Sequence, residues 1–150
     1  MTETNESRLE KQVRHYYMEE NHNCAETLLA ACNEAFGLNL PKESTILLSG
    51  FGRGMFTGNV CGALAGCNAA LACMLVDTKA HDCAELPKAQ QLLNRNFRNT
   101  LSDTQCSKLR GIHHSEETRC LKTCLLAAKA MNQTLAELQE KGVVDAGLIL

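Results

Sequence analysis

The residues able to do chemistry in this chain are chiefly its nine cysteines, spread over 150 residues. No two of them form a C-x-x-C pair. That counts against a zinc ribbon, a thioredoxin-type motif and C-x-x-C-H haem attachment. Cys24, Cys61, Cys106 and Cys120 fall instead on separate segments. Four thiolates are what an iron–sulfur cluster ordinarily takes, and four from different elements can meet only in a folded bundle. An odd number of cysteines also cannot be fully paired within one chain. In a reducing compartment such density points to metal, cluster or redox chemistry rather than a disulfide framework. Cys32, Cys67 and Cys73 lie inside helical runs and read as small buried hydrophobes. Cys124 follows Cys120 by one helical turn; core packing is its simpler role, a resolving or supporting thiol the alternative.

The stretch Gly50–Val76, GFGRGMFTGNVCGALAGCNAALACMLV, is a glycine-rich loop running into an apolar helix. Cys61 stands at the junction, with Asn59 or Thr57 as the expected N-cap. A sulfur there lies near the positive end of the helix dipole, which favours a thiolate. Glycines just before it let backbone N–H groups approach an anion closely. Gly62, Gly66 and Ala70 recur every four residues and leave a flat face for another helix. Cys24 has a similar setting, because Asn23 reads as an N-cap and Glu26 completes a capping box. Arg53 in the loop could balance the charge of a thiolate-bound cluster, or simply be solvated. His22, His113 and His114 read as solvated side chains before ligands. The G-F-G-R-G run lacks the preceding strand that a dinucleotide site needs.

The elements that must position these cysteines are helical. Two prolines, no tryptophan and abundant Ala, Leu, Glu, Lys and Gln favour helix over strand. Leu9, Val13, Tyr16 and Tyr17 give residues 6–20 an apolar face at helical spacing. A second helix starts at Cys24 and ends at Gly37. Pro41 opens a short third helix from Lys42 to Leu48. After the central helix, Asp77–Leu86 reads as a surface loop, and Pro87 begins a helix with Leu93, Phe97 and Leu101 on one side. Ser102 and Gln105 suggest a capping box for a short helix carrying Cys106 and closed by Gly111. Ser115 is the expected start of the last helix, whose stripe runs Cys120, Cys124, Ala128, Met131, Leu135, Leu138, with Gly142 as its stop. The expectation is a single all-α domain spanning 1–150, about five to seven helices around the small-residue helix. Its core should gather Leu28, Leu64, Leu71, Leu75, Phe97, Leu125 and Met131.

A formal net charge of -2 argues against a nucleic-acid or anionic-membrane surface. Residues 60–76 are apolar apart from Asn68 but short of the ~20 residues of a membrane span, so a buried helix is the better reading. The polar N-terminus, MTETNESRLEKQ, makes the cytoplasm the expected compartment. The apolar tail VVDAGLIL and the small-residue helix face both suggest a homodimer.

The blocks NCAETLLAA, GFGRGMFTGNVCGALAG, QCSKLRG and RCLKTCLLAAK resemble, in order, those of a redox-active family named for its C_GCAxxG_C_C pattern. Its CGAxxG block is here Cys61–Gly62–Ala63–Leu64–Ala65–Gly66, and the resemblance runs roughly from Tyr16 to Met131. By position its four characteristic cysteines are Cys24, Cys61, Cys106 and Cys120. A similar domain carries an iron–sulfur centre in split-Soret cytochromes, which implies that these thiols can hold a cluster. The usual G-Y-N-C reads Asn21–His22–Asn23–Cys24 here, and Arg53 stands where glycine is common. Five further cysteines are additional. Three readings follow: an iron–sulfur protein for electron transfer or redox sensing with an unidentified redox partner, a cluster-free thiol–disulfide protein, or a zinc-binding or interaction module.

Overall fold

The computed structural model describes residues 5–150, so the first four residues of the polar N-terminal stretch lie outside it. Among the described residues the chain is all-α: helices form and no strand does, with only two isolated bridges. The α-helices are α1 (Arg8–Arg14), α2 (Cys24–Phe36), α3 (Gly62–Leu75), α4 (Leu86–Leu101), α5 (Cys106–His113) and α6 (Leu121–Glu140). A π-helical turn, His15–Glu19, extends α1, and a 3₁₀ segment runs from Lys42 to Gly54. Helix α3 packs against α2, α4, α6 and the 3₁₀ segment, while α6 also meets α1, α2, α4 and α5. Among the described residues no helix is long and apolar enough to cross a membrane.

Local chemistry explains most of the boundaries. Helix α2 begins with the reciprocal Asn23–Glu26 capping box and ends at Gly37, whose left-handed φ of 62° closes the last turn. Helix α1 uses a second capping box, Ser7 with Glu10. Leu28, Leu64, Leu71, Phe97 and Met131 are buried in one core, against which the partly buried Leu75 and Leu125 pack.

Several boundaries differ from those the sequence suggests. The third segment is 3₁₀ rather than α and runs through the glycines to Gly54, kinking at Gly52 and Arg53; Pro41 is its N-cap. Helix α3 is capped by Cys61 itself, because Thr57 and Asn59 bond within the loop instead. Ser102 ends α4 with φ 90°, and Asp103 Oδ1 accepts from the N–H groups of Thr104 and Gln105 in place of a capping box. Helix α5 continues past Gly111 to His113. Ser115 closes a tight turn rather than a helix: its Oγ accepts from Thr118 N, and its backbone pairs with Arg119. Helix α6 therefore starts at Leu121, with Cys120 as its N-cap.

The small-residue face of α3 is used inside the chain. A Cβ on Gly66 would stand 2.5 Å from the Ala25 carbonyl oxygen and 2.9 Å from Leu28 Cβ. The apolar tail is used as well, with Val144 buried, Leu148 and Leu150 packed on the core, and the Gln139 amide donating to the carbonyls of Asp145 and Leu148. Both surfaces that suggested a dimer thus have partners within one copy. Cys32 and Cys67 are fully buried as expected, but Cys73 faces solvent because it sits on the side of α3 away from the core.

Gly66→Val should therefore lose on the order of 1–3 kcal/mol or more in chemical denaturation, by overpacking the α2–α3 contact. Cys73→Ala should stay within about 0.5 kcal/mol of the parent, as an exposed substitution does.

Candidate functional site

The four cysteines singled out from the sequence line one small cavity. Each occupies the beginning of a different helix. Cys24 and Cys106 are the first residues of α2 and α5, and Cys61 and Cys120 are the N-caps of α3 and α6. Four positive helix ends therefore face one space, where the reading from sequence anticipated two.

Backbone contacts hold the four together. Residues 58–61 run antiparallel to 104–107: Cys61 N donates to Thr104 O at 2.8 Å, Cys106 N to Asn59 O at 2.6 Å, and Ser107 N to Gly58 O at 3.2 Å. This short clamp sets Cys61 beside Cys106. Cys24 is fixed by the α2 capping box, with the Asn23 amide donating to Ser49 O at 3.0 Å across to the 3₁₀ segment. Cys120 donates its N–H to the Tyr17 hydroxyl at 2.9 Å. Tyr17 is in turn covered by the Arg119 guanidinium, 4.6 Å above its ring.

The space between the thiols is about 20 Å³, and Arg53, Gly62, Leu109, Arg110 and Thr123 complete its lining. Among the described residues no carboxylate lines it. Arg110 Nη1 donates to Cys120 Sγ at 3.7 Å. Sequence pattern alone assigns Arg110 to a solvated helix face; its place four residues after Cys106 on the same short helix was the available signal. Cys124 is fully buried, yet it reaches the site through a contact with Cys24. His113 donates to Leu101 O and serves structure, while His22 and His114 line the open pocket outside the thiols.

The thiols' contacts with one another and their burial govern their charge. At Cys24 the contact with Cys120 favours the thiolate, but the contact with Cys124, burial and nearby Cys61 prevail, and the thiol stands well above its ordinary range. Burial raises Cys61 to about 11 against the opposing N–H groups of Ala63 and Leu64. Cys120 is pushed up by Cys24 and by burial while Arg110 and Tyr17 pull it down. Cys106 is raised by burial and Cys120, with Arg110 and Arg53 opposing. The helix ends act in the expected sense at Cys61, but they do not produce a thiolate at neutral pH in the protein alone.

All nine cysteines are free thiols. Among the described residues, no three His, Cys, Asp or Glu side chains are spaced to hold one metal ion. The donor chemistry nevertheless suits a group that takes several thiolates. Four sulfurs share a carboxylate-free lining with two guanidiniums and four helix starts. The volume is about that of a single water site, so any larger group would require the lining to move outward.

Fold and site together define a small all-helical protein built around a centre of clustered thiols. The chain belongs to the family described as "Putative redox-active protein (C_GCAxxG_C_C)", whose model matches residues 22–135. Neither a curated protein nor a solved structure matches it.

Without a bound group, the buried thiols should make the protein alkali-sensitive. The unfolded chain ionises a cysteine near 9, whereas Cys61 and Cys32 in the folded chain hold their protons to about 11 and about 12. Folded protein binds more protons across that window, so stability is full below about 9 and falls as pH rises. Urea denaturation of metal-free protein should show a loss of roughly 1.4 kcal/mol per pH unit for each such thiol. Cys32→Ala should flatten part of that slope, and a stability independent of pH from 8 to 11 would contradict the assignment.

Proposed function

We propose that this protein is a small cytoplasmic iron–sulfur protein serving electron transfer or redox sensing, with Cys24, Cys61, Cys106 and Cys120 as the cluster's ligands. The observation that carries this reading is the convergence of four thiols from four helix starts on one carboxylate-free cavity. Ionising four neighbouring thiols with nothing between them is unfavourable, since each raises its neighbours' pKa. A cationic group that binds thiolates removes that penalty, and the thiols' alternative is to remain neutral. When bound, an iron–sulfur cluster supplies a one-electron redox couple. The chain's own contribution would be charge and shielding. Arg53 and Arg110 add positive charge, the helix starts direct N–H dipoles at the sulfurs, and Leu109 and Thr123 limit water.

A thiol–disulfide protein is the second reading, favoured by the direct contact of Cys24 with Cys120 and Cys124. The raised pKa of Cys24 weighs against it, because the attacking species is the thiolate. The two differ in composition. Anaerobically purified protein should be brown and contain iron and acid-labile sulfide. Replacing any one of Cys24, Cys61, Cys106 or Cys120 by Ser should abolish or sharply lower that iron, while Cys67→Ala should cost only packing, on the order of 1 kcal/mol. Colourless, iron-free protein that forms a Cys24–Cys120 disulfide under mild oxidant would favour the second reading instead.

A further inference from the structure

We propose that the open pocket over Cys24 and Cys120 is a binding site for a small oxyanion, held by Arg53, Arg110 and Arg119. The pocket has a volume of about 260 Å³ and is lined by these three arginines with His22 and His114, and among the described residues no acidic one lines it. The chain carries 17 acidic residues against 15 lysines and arginines. Three arginines lining one pocket without a described carboxylate are therefore not a consequence of overall composition.

The arginines come from three separate places: the kink of the glycine loop, helix α5 and the turn before α6. Among the described residues none of the three forms an ion pair with a carboxylate. Their contacts are with neutral groups. Arg53 lies over the Phe56 ring at 5.6 Å, Arg110 reaches Cys120 Sγ, and Arg119 donates to Asn21 Oδ1 at 3.3 Å and Tyr17 O at 3.4 Å. Arg53 and Arg119 both hold left-handed backbone, with φ of 54° and 55°. Such conformations are unfavourable for side chains with a Cβ, and both residues line the pocket. Arginine's planar fork matches the oxygens of a carboxylate, phosphate or sulfate. Carboxylate-free walls also concentrate anions by focusing the field.

Size restricts the class of ligand. The volume lies just under the roughly 300–1,000 Å³ of pockets for drug-sized molecules. The fitting ligand is thus an inorganic oxyanion or a short dicarboxylate, seated against the outer side of Cys24 and Cys120. This inference goes beyond the cluster reading, because the arginines and the pocket are present whether or not the thiols hold iron. If the arginines act solely to offset thiolate charge, they should alter iron retention and bind no added anion.

Isothermal titration of the full chain at low ionic strength tests it, with inorganic phosphate, sulfate and succinate as probes and iron content measured on each sample. At least one probe should bind with one-to-one stoichiometry. Arg53→Gln and Arg119→Gln should each weaken it ten-fold or more, Arg53→Lys should restore part of the loss, and Lys88→Gln on α4 should leave it unchanged. Arg119 also covers Tyr17, so if Arg119→Gln fails to fold, the exposed Arg53 decides the matter alone. No binding by any of the three probes, or binding that survives Arg53→Gln undiminished, would overturn the proposal at any iron content. Absence of iron with intact anion binding would overturn the cluster reading alone.

Discussion

The structure depends on how closely α3 approaches α2. At Gly66 the helices are near enough that a Cβ would collide with the Ala25 carbonyl oxygen, while at Gly62 it would collide with the Phe51 carbonyl and stand tight against Ala25 N at 3.3 Å. Because Gly62 and Ala25 are the residues next to Cys61 and Cys24, this contact also places the starts of the two helices side by side. Packing and site are one constraint here. A side chain at Gly66 would push apart the two helices whose starts carry these cysteines.

A second constraint completes the centre. The antiparallel clamp between residues 58–61 and 104–107 brings α5 to the same place, and the Tyr17 hydroxyl holds the start of α6 there. The resulting cluster of thiols is costly to ionise, since Cys61, Cys106 and Cys120 are buried, Cys24 is partly so, and each faces others. The features that oppose this cost all belong to the site: the N–H groups at the start of α3 against Cys61, Arg110 against Cys120, and Arg53 near Cys106. Cys32, buried in the core, shows the contrast: burial and Cys73 raise it and nothing opposes them.

Much of this was legible in the sequence. Spacing and composition established the helical class, the α2 capping box and the small-residue face, because those signals are local and periodic. The four cysteines could be selected because each lies on a different segment. What stayed hidden depends on tertiary geometry. Ser115 looks like an N-cap, yet its hydroxyl and backbone close a turn with Thr118 and Arg119, and that shift turns Cys120 from a mid-helix residue into a cap. Arg110 looks like one of several basic residues on a solvated face until α5 is docked against the start of α6. Cys124 reads as core from its position in the stripe, and it is core, but its contact with Cys24 arises only from how α2 meets α6. The use of the C-terminal tail within one copy is likewise a matter of packing.

The central claim is that Cys24, Cys61, Cys106 and Cys120 together hold one iron–sulfur centre. A crystal structure of anaerobically purified protein, with anomalous scattering recorded at the iron edge, tests it most directly. The expected result is a single iron-containing feature bounded by the four sulfurs, each about 2.3 Å from a metal atom. Iron bound elsewhere, or four protonated thiols around a space without metal in protein never exposed to oxygen, would contradict it.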